Sequence, residues 1–233
     1  MKIVILTGAG ISAESGVATF RGADGLWEGH RPEDVATPEA FARDPELVQN
    51  FYNQRRRGLL SGAIHPNPAH LELARLALQP GIELTLVTQN IDDLHERAGS
   101  PEVLHMHGEL LKVRCQWCGG ISEIREDVSA GSVCPDCHEA GHLRPDVVWF
   151  GEMPYFLDEI AAAVEAADLF VSIGTSGLVY PAAGYVSVAK QAGVRTLEIN
   201  LEESATSGVF DESRRGPASE QVPRWVDETI AGL

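Results

Sequence analysis

The sequence predicts an α/β fold built on an open parallel sheet, interrupted by two insertions, one of them metal-binding. Three observations point there: four short apolar runs that each end in small or polar residues, helical patterns between them, and four cysteines confined to one interruption. Lys2 to Leu6, Leu84 to Thr88, Leu169 to Ile173 and Thr196 to Ile199 read as buried strands. Helical patterns at Pro66 to Leu78 and Tyr155 to Ala167 separate them, as βαβ units require, and Val222 to Ile230 reads as a short closing helix. The strands run into Gly8-Ala9-Gly10-Ile11-Ser12, Gln89-Asn90-Ile91-Asp92, Gly174-Thr175-Ser176 and Asn200-Leu201-Glu202. Open parallel sheets bind ligands outside the carboxyl ends of their strands, so the four clusters are expected to converge on one ligand in a Rossmann-like arrangement. Residues 22–62, with a helix over Pro45 to Leu60, and residues 110–145, with all the cysteines, break the alternation. Residues 1–21, 63–109 and 146–233 then form the Rossmann-type domain.

The charge balance narrows the function. Acidic side chains outnumber basic ones 34 to 18, a net charge of -16, which opposes the phosphate neutralisation that nonspecific nucleic-acid binding needs. A zinc-ribbon transcription factor is disfavoured on that ground. No apolar run approaches the roughly 20 residues that span a bilayer, and Met1 to Leu6 is too short for a secretory signal. A cytoplasmic monomer without membrane or nucleic-acid partners is expected. The basic run Arg55-Arg56-Arg57 reads first as a solvated helix face.

Cys115-Gln-Trp-Cys118 and Cys134-Pro-Asp-Cys137 are paired knuckles separated by 15 residues, the spacing of a zinc ribbon. Four thiolates close a tetrahedral shell with no position for water, so the zinc is expected to be structural. Redox dithiols or incidental cysteines are the competing reading, disfavoured in a reducing cytoplasm.

Gly8-Ala9-Gly10-Ile11-Ser12-Ala13 fits Gly-x-Gly-x-x-Gly/Ala directly after a strand, where a backbone without side chains can approach a pyrophosphate. The same glycines have a packing explanation, close contact of helix and strand. The acidic residue expected about 20 positions on is missing, because Thr19-Phe20-Arg21 opens a loop instead. This is not an ordinary dehydrogenase pattern, and Asn200 or Glu202 becomes the candidate ribose partner. Among eight histidines, His65, His70, His138 and His142 read as surface or helix residues. His107, in Leu104-His105-Met106-His107-Gly108-Glu109, follows a polar strand end and precedes the metal module. Its imidazole suits a general base, although a core histidine is the alternative.

These blocks, in this order, resemble the sirtuin family nearly end to end: Gly8 to Ser12, Thr19 to Arg21, Thr88 to Asp92, His107-Gly108, the cysteine knuckles, Val148-Trp149-Phe150-Gly151-Glu152 and Gly174 to Ser176. The resemblance implies a Rossmann domain plus a small domain made of a zinc module and a helical module, with NAD and an acyl-lysine meeting between them. It implies that Gly8, Ala9, Gly10, Ser12 and Ala13 cradle phosphates, and that Thr19, Phe20 and Arg21 belong to a loop over the cofactor. Gln89, Asn90 and Asp92 would line the nicotinamide-ribose pocket, and Gly174, Thr175, Ser176, Asn200, Leu201, Glu202 and Ala218 the adenosine half. His107 would be the general base, with Asn90 beside it in the catalytic centre. The implied reaction consumes NAD, frees the lysine, and yields nicotinamide and O-acyl-ADP-ribose.

Tyr52 and Arg55 share a helix face and resemble the Tyr-x-x-Arg pair of class III sirtuins, which remove succinyl, malonyl or glutaryl groups. A guanidinium and a phenol together offer three donors to a carboxylate. Ala36 resembles the small residue that widens the acyl pocket in that branch. Gly16 to Phe20 lacks the proline of deacetylase branches, again in agreement with class III. ADP-ribosyl transfer, NAD hydrolysis and a non-catalytic NAD sensor remain the alternatives.

Overall fold

The computed structural model describes residues 1–18, 27 and 29–233; Thr19, Phe20 and Arg21 lie outside them. In chain order the elements are β1 (Lys2–Thr7), α1 (Ala9–Ser12), α2 (Pro32–Val35), α3 (Pro38–Arg43), α4 (Pro45–Leu60), α5 (Pro68–Ala77), β2 (Glu83–Thr88), α6 (Leu94–Arg97), β3 (Leu104–His105), β4 (Gly108–Cys115), β5 (Ile121–Glu123), β6 (Leu143–Val147), α7 (Leu157–Glu165), β7 (Leu169–Ile173), α8 (Tyr185–Gln191), β8 (Arg195–Asn200), β9 (Glu212–Arg215) and α9 (Ala218–Ala231). None of the helices among the described residues is long and apolar enough to cross a membrane.

Six strands pair in parallel in the order β3-β2-β1-β7-β8-β9. Successive side chains of a strand point to opposite faces, and both faces are covered here. Ile3 and Ile5 pack with Leu73 and Leu76 of α5 and with Val222, Trp225 and Val226 of α9. Val4 and Leu6 pack with Ile160 and Val164 of α7 and with Tyr185, Val186 and Ala189 of α8. Burial on both faces is why the inner strands are continuous apolar runs. From β1 the order proceeds outward one way through β2 and β3 and the other way through β7, β8 and β9. The carboxyl ends of β1 and β7 therefore flank the switch point, where such sheets bind ligands.

The four inner strands lie where the apolar runs predict them, and β3 and β9 extend the sheet at its edges. The closing helix starts at Ala218 rather than Val222, and Pro223 lies inside it. Proline marks a helix start in sequence, but the helix extends further because Val222, Trp225 and Val226 are anchored in the core.

β4 pairs antiparallel with β5 and β6 to form the second sheet. Helix α4 packs against this sheet and, like Leu110 and Val147 of the sheet, also lines the cavity described below. On one side Gln49 Nε2 donates to Leu143 O (2.7 Å), Asn53 Nδ2 donates to Val128 O (2.8 Å), and Val128 N donates back to Asn53 Oδ1 (2.9 Å). Arg56 Nε donates to Leu110 O (3.2 Å) and its Nη1 to Glu126 O (3.2 Å). The arginine run is thus not one solvated face. Arg57 is exposed beside Asp127 at 2.7 Å, Arg56 is 1% exposed as a strut to the cysteine-bearing segment, and Arg55 turns to the cavity. Packing decided this partition: a spacing of four and three residues puts Gln49, Asn53 and Arg56 on one side.

Candidate active site

The four strand ends meet as expected. A cavity of about 1160 Å³ is lined by Gly8, Ala9, Gly10 and Ala13, by Gln89, Asn90 and Asp92, by Gly174, Thr175 and Ser176, and by Asn200, Leu201, Glu202 and Ala218. His107, Ala36, Tyr52 and Arg55 line the same cavity. Ser12 does not line it and is fully buried one layer behind.

The glycines of the first turn serve backbone packing. Gly8 N donates to Ile173 O and Gly10 N to Gly174 O, each at 2.9 Å. A Cβ on Gly10 would stand 2.7 Å from Gly174 Cα and 2.8 Å from Gly174 O, both backbone atoms that cannot rotate away. Gly10→Ala is therefore expected to cost about 1–3 kcal/mol by overpacking and to weaken dinucleotide binding. A urea titration beside NAD calorimetry checks this; an unchanged midpoint would contradict the packing argument.

Behind the turn lies a polar layer whose donors and acceptors are fixed. His70 Nδ1 accepts from Asn67 N (3.3 Å), so its Nε2–H points to Ser12 Oγ (3.4 Å). Asn90 Nδ2 also donates to Ser12 Oγ (3.1 Å) and to Gly8 O (3.2 Å). Ser12 Oγ in turn donates a hydrogen bond to Asp92 Oδ2 at 3.1 Å. Burial keeps His70 neutral, lowering it to about 4, and pushes Asp92 up to about 6 against the opposing bonds from Leu94 N and Ser12. The network holds Asn90 and Asp92 at the cavity wall.

His107 is half-buried, and its Nδ1 lies 3.1 Å from Gln89 O. A carbonyl can only accept, so Nδ1 carries the proton and Nε2 keeps its lone pair. Burial lowers the histidine's pKa, and the Gln89 bond only partly offsets this. The ring is therefore neutral at physiological pH, with a basic nitrogen available. Gly108 follows with φ +77°, and a Cβ there would sit 2.1 Å from Asp146 O. Only glycine lets the chain turn into β4 against that backbone.

At the other end of the cavity Tyr52 is fully buried, and its hydroxyl accepts from Trp149 Nε1 at 2.9 Å. Burial pushes its pKa well up, so it remains a phenol. Arg55 Nη1 donates to Phe51 O (2.6 Å), and its guanidinium lies over the Phe51 ring, 3.1 Å from the centroid. Ala36 packs in the same small core as Tyr52 and Trp149, and its carbonyl accepts from Phe150 N at 3.0 Å.

The cysteine cluster lies apart from the cavity. All four Sγ atoms fall within 4.8 Å of one another, with Cys115–Cys137 and Cys118–Cys134 at 3.8 Å. Tetrahedral Zn–S bonds of ~2.3 Å place sulfurs ~3.8 Å apart. The donor set and its spacing fit a structural zinc held by Cys115, Cys118, Cys134 and Cys137.

The sequence profile of the Sir2 family matches residues 8–181. This chain belongs to the Sir2 family. Among its relatives, the NAD-dependent protein deacylase of Vibrio parahaemolyticus serotype O3:K6 is 60% identical over 230 residues, covering 99% of this chain and 95% of that one. A mutant Sir2 homologue solved with ADP-ribose superposes with a TM-score of 0.91 at 43% identity, covering 100% of this chain and 93% of that one. A Sir2 homologue solved with NAD gives 0.85 at 43% identity, covering 98% and 90%.

Sequence reasoning gave no role to several residues that shape this Sir2 site. Glu198, 1% exposed, accepts from Ser204, from Ser207 Oγ (2.5 Å) and from Arg215 Nη1 (2.6 Å), securing the loop that follows Glu202. A carboxylate inside a buried strand was its available signal. Glu152 takes a two-pronged bond from Arg144 (2.6 and 2.9 Å) and a third from Trp149 N (2.8 Å), fastening the Val148–Glu152 block to β6. The buried histidines His70, His95 and His105 carried no spacing signal.

Proposed function

We propose that this chain removes acyl groups from lysine side chains of proteins at the expense of NAD, and that it favours acyl chains ending in a carboxylate. One observation carries the reading: a single cavity joins the Gly8–Ala13 turn and the Asn90–Asp92 wall, through His107, to Tyr52 and Arg55. The relatives named for NAD-dependent protein deacylation support the reaction class.

Gly8, Ala9, Gly10 and Ala13 would hold the phosphates, Gly174 to Ser176, Asn200 to Glu202 and Ala218 the adenosine, and Gln89, Asn90 and Asp92 the nicotinamide ribose. Bound NAD supplies a ribose carbon that accepts the acyl oxygen as nicotinamide departs. His107 then contributes a lone pair at Nε2, ready to take a proton from a hydroxyl in the cavity. The Gln89 carbonyl keeps the ring in that tautomer. Asn90, held by Gly8 and Ser12, fixes the wall beside it. Tyr52 and Arg55 provide a neutral phenol and a fixed cation where an acyl chain would end. A guanidinium binds a carboxylate far better than a methyl group. Four thiols grouped as a metal cage suit a reducing compartment, in keeping with a cytoplasmic protein.

The test is incubation with NAD and matched succinyl-, malonyl- and acetyl-lysine peptides, for wild type and Arg55→Met. Succinyl and malonyl peptides should lead in the wild type. Arg55→Met should lower their kcat/KM roughly 10- to 100-fold, the worth of a charge-assisted bond, and leave acetyl-lysine little changed. Acetyl preferred by a wide margin in the wild type, or an equal loss on every substrate, would overturn the acyl preference.

A further inference from the structure

His105 and His107 hold successive carbonyls of the same wall. His107 Nδ1 lies 3.1 Å from Gln89 O, and His105 Nδ1 lies 3.2 Å from Asn90 O. Their second nitrogens meet opposite surroundings. His107 lines the cavity, whereas His105, 5% exposed at the end of β3, places Nε2 2.7 Å from Glu96 Oε1 of α6. Both partners of His105 are acceptors, and an imidazole can donate from both nitrogens only when protonated.

We propose that protonated His105 is a positioning residue: it grips the Asn90 carbonyl from behind, keeps the Asn90 side chain directed along the cavity wall, and releases that grip when it loses its proton. The inference rests on the NAD reaction proposed above. When neutral, the ring has one N–H. The Glu96 carboxylate, the stronger acceptor, retains it, which leaves a bare Nδ1 facing Asn90 O. Two lone pairs then oppose each other, and the wall segment shifts.

The surroundings favour the cation. Burial alone would lower His105, but the bond and charge of Glu96 outweigh it and raise the pKa, with Glu109 of β4 adding to the effect. Lys112 of β4 pairs with Glu109 at 2.6 Å. Asp92, in the loop after β2, also feels the His105 charge, which favours its anion. His95 of α6 is held well below its ordinary value by burial, then by His70 and His105, so it stays neutral. The charge of this buried group thus resides on His105. Turnover then needs His107 neutral and His105 charged, so kcat/KM for NAD follows a bell. The acid limb belongs to His107 and the alkaline limb to His105.

Three variants separate the roles. Glu96→Gln should move the alkaline limb down by about one pH unit without moving the acid limb. His105→Asn, whose amide nitrogen replaces Nδ1, should flatten the alkaline limb. His105→Gln, whose amide nitrogen replaces Nε2, should lose the grip and lower kcat/KM for NAD about tenfold. Nitrogen-15 spectra of the free protein should show both ring nitrogens of His105 protonated at pH 7. A neutral His105 ring at pH 7, or an alkaline limb that Glu96→Gln leaves in place, would overturn the proposal. A purely structural His105 would lower the melting temperature without moving either limb. If the wild type consumes no NAD with any acyl-lysine peptide, the proposed activity fails; the ring spectra and the pH dependence of NAD binding still decide the role of His105.

Discussion

His107→Ala is expected to cut O-acyl-ADP-ribose formation by roughly 10²- to 10⁴-fold, the usual worth of a positioned general base, while the protein stays folded and binds NAD. The variant removes one ring whose hydrogen bond, among the described residues, goes to Gln89 O. Its structural cost is therefore about 1 kcal/mol, small against a catalytic loss of that size. Asn90 and Asp92 keep their own supports in Ser12, Gly8 and Leu94, so the cavity wall survives. Product mass spectrometry with thermal melting reads both halves of the expectation. The pH profile adds a sign. Protonating His107 removes the base, so kcat/KM falls as pH decreases, and because burial depresses the histidine, the fall comes below the ordinary imidazole value of ~6.5. A non-catalytic NAD sensor would keep its NAD affinity and show no product in either protein. Equal product rates in wild type and variant would exclude His107 as the base.

How far the sequence carries depends on how each residue is used. β1, β2, β7 and β8 were legible because two covered faces demand unbroken apolar runs. β9, Glu-Ser-Arg-Arg on the outer edge, has no apolar residue to reveal it, and β3 is two residues long. Edge strands take their pairing from the neighbour rather than from a buried face, so hydrophobic patterning misses them. The knuckle spacing of the cysteines is local and was fully readable. The cavity-lining clusters were readable too, because strand ends converge wherever the strands are parallel.

The layer behind the cavity was not readable. His70 reads as a helix residue, yet it fixes the proton positions of Ser12, Asn90 and Asp92 through contacts spanning 58 and 80 residues of chain. No period in the sequence encodes such a contact. Gly8 and Gly10 illustrate the reverse problem. The fingerprint suggested phosphate approach, and the structure shows that the collision with Gly174 already requires glycine at Gly10. One residue type satisfies both demands, so its presence alone could not separate them. In Arg55-Arg56-Arg57, three identical side chains have three uses, and only the packing of α4 distinguishes them.

Removing zinc, by chelation or by Cys134→Ser, is expected to unfold the module around residues 115–137 and to loosen the acyl end of the cavity with it. The module's own core is small: Val113, Cys115, Val128, Cys134 and Leu143, with Ile124 and Cys137 against them. Two of those five buried residues are ligands, so without the ion the core loses its centre. Structural zinc contributes ~10 kcal/mol or more in such modules, more than the remaining aliphatic contacts replace. The loss should travel along α4. Gln49 is fastened to Leu143 O, Asn53 to both backbone groups of Val128, and Arg56 to Glu126 O, all on the helix that also carries Tyr52 and Arg55 to the cavity. If those carbonyls move, Arg56 is left as a buried cation short of acceptors, and α4 must shift or rotate to resolvate it. Metal analysis should find about one zinc per chain before treatment. Afterwards, protease cleavage should concentrate between residues 116 and 142, the melting temperature should fall, and the succinyl-to-acetyl ratio should drop before NAD binding does, because Gly8, Asn90 and Gly174 follow strands of the other sheet. A metal-free protein with its melting temperature and protease resistance intact would refute the structural role, and a fall in NAD binding ahead of acyl selectivity would refute the route through α4.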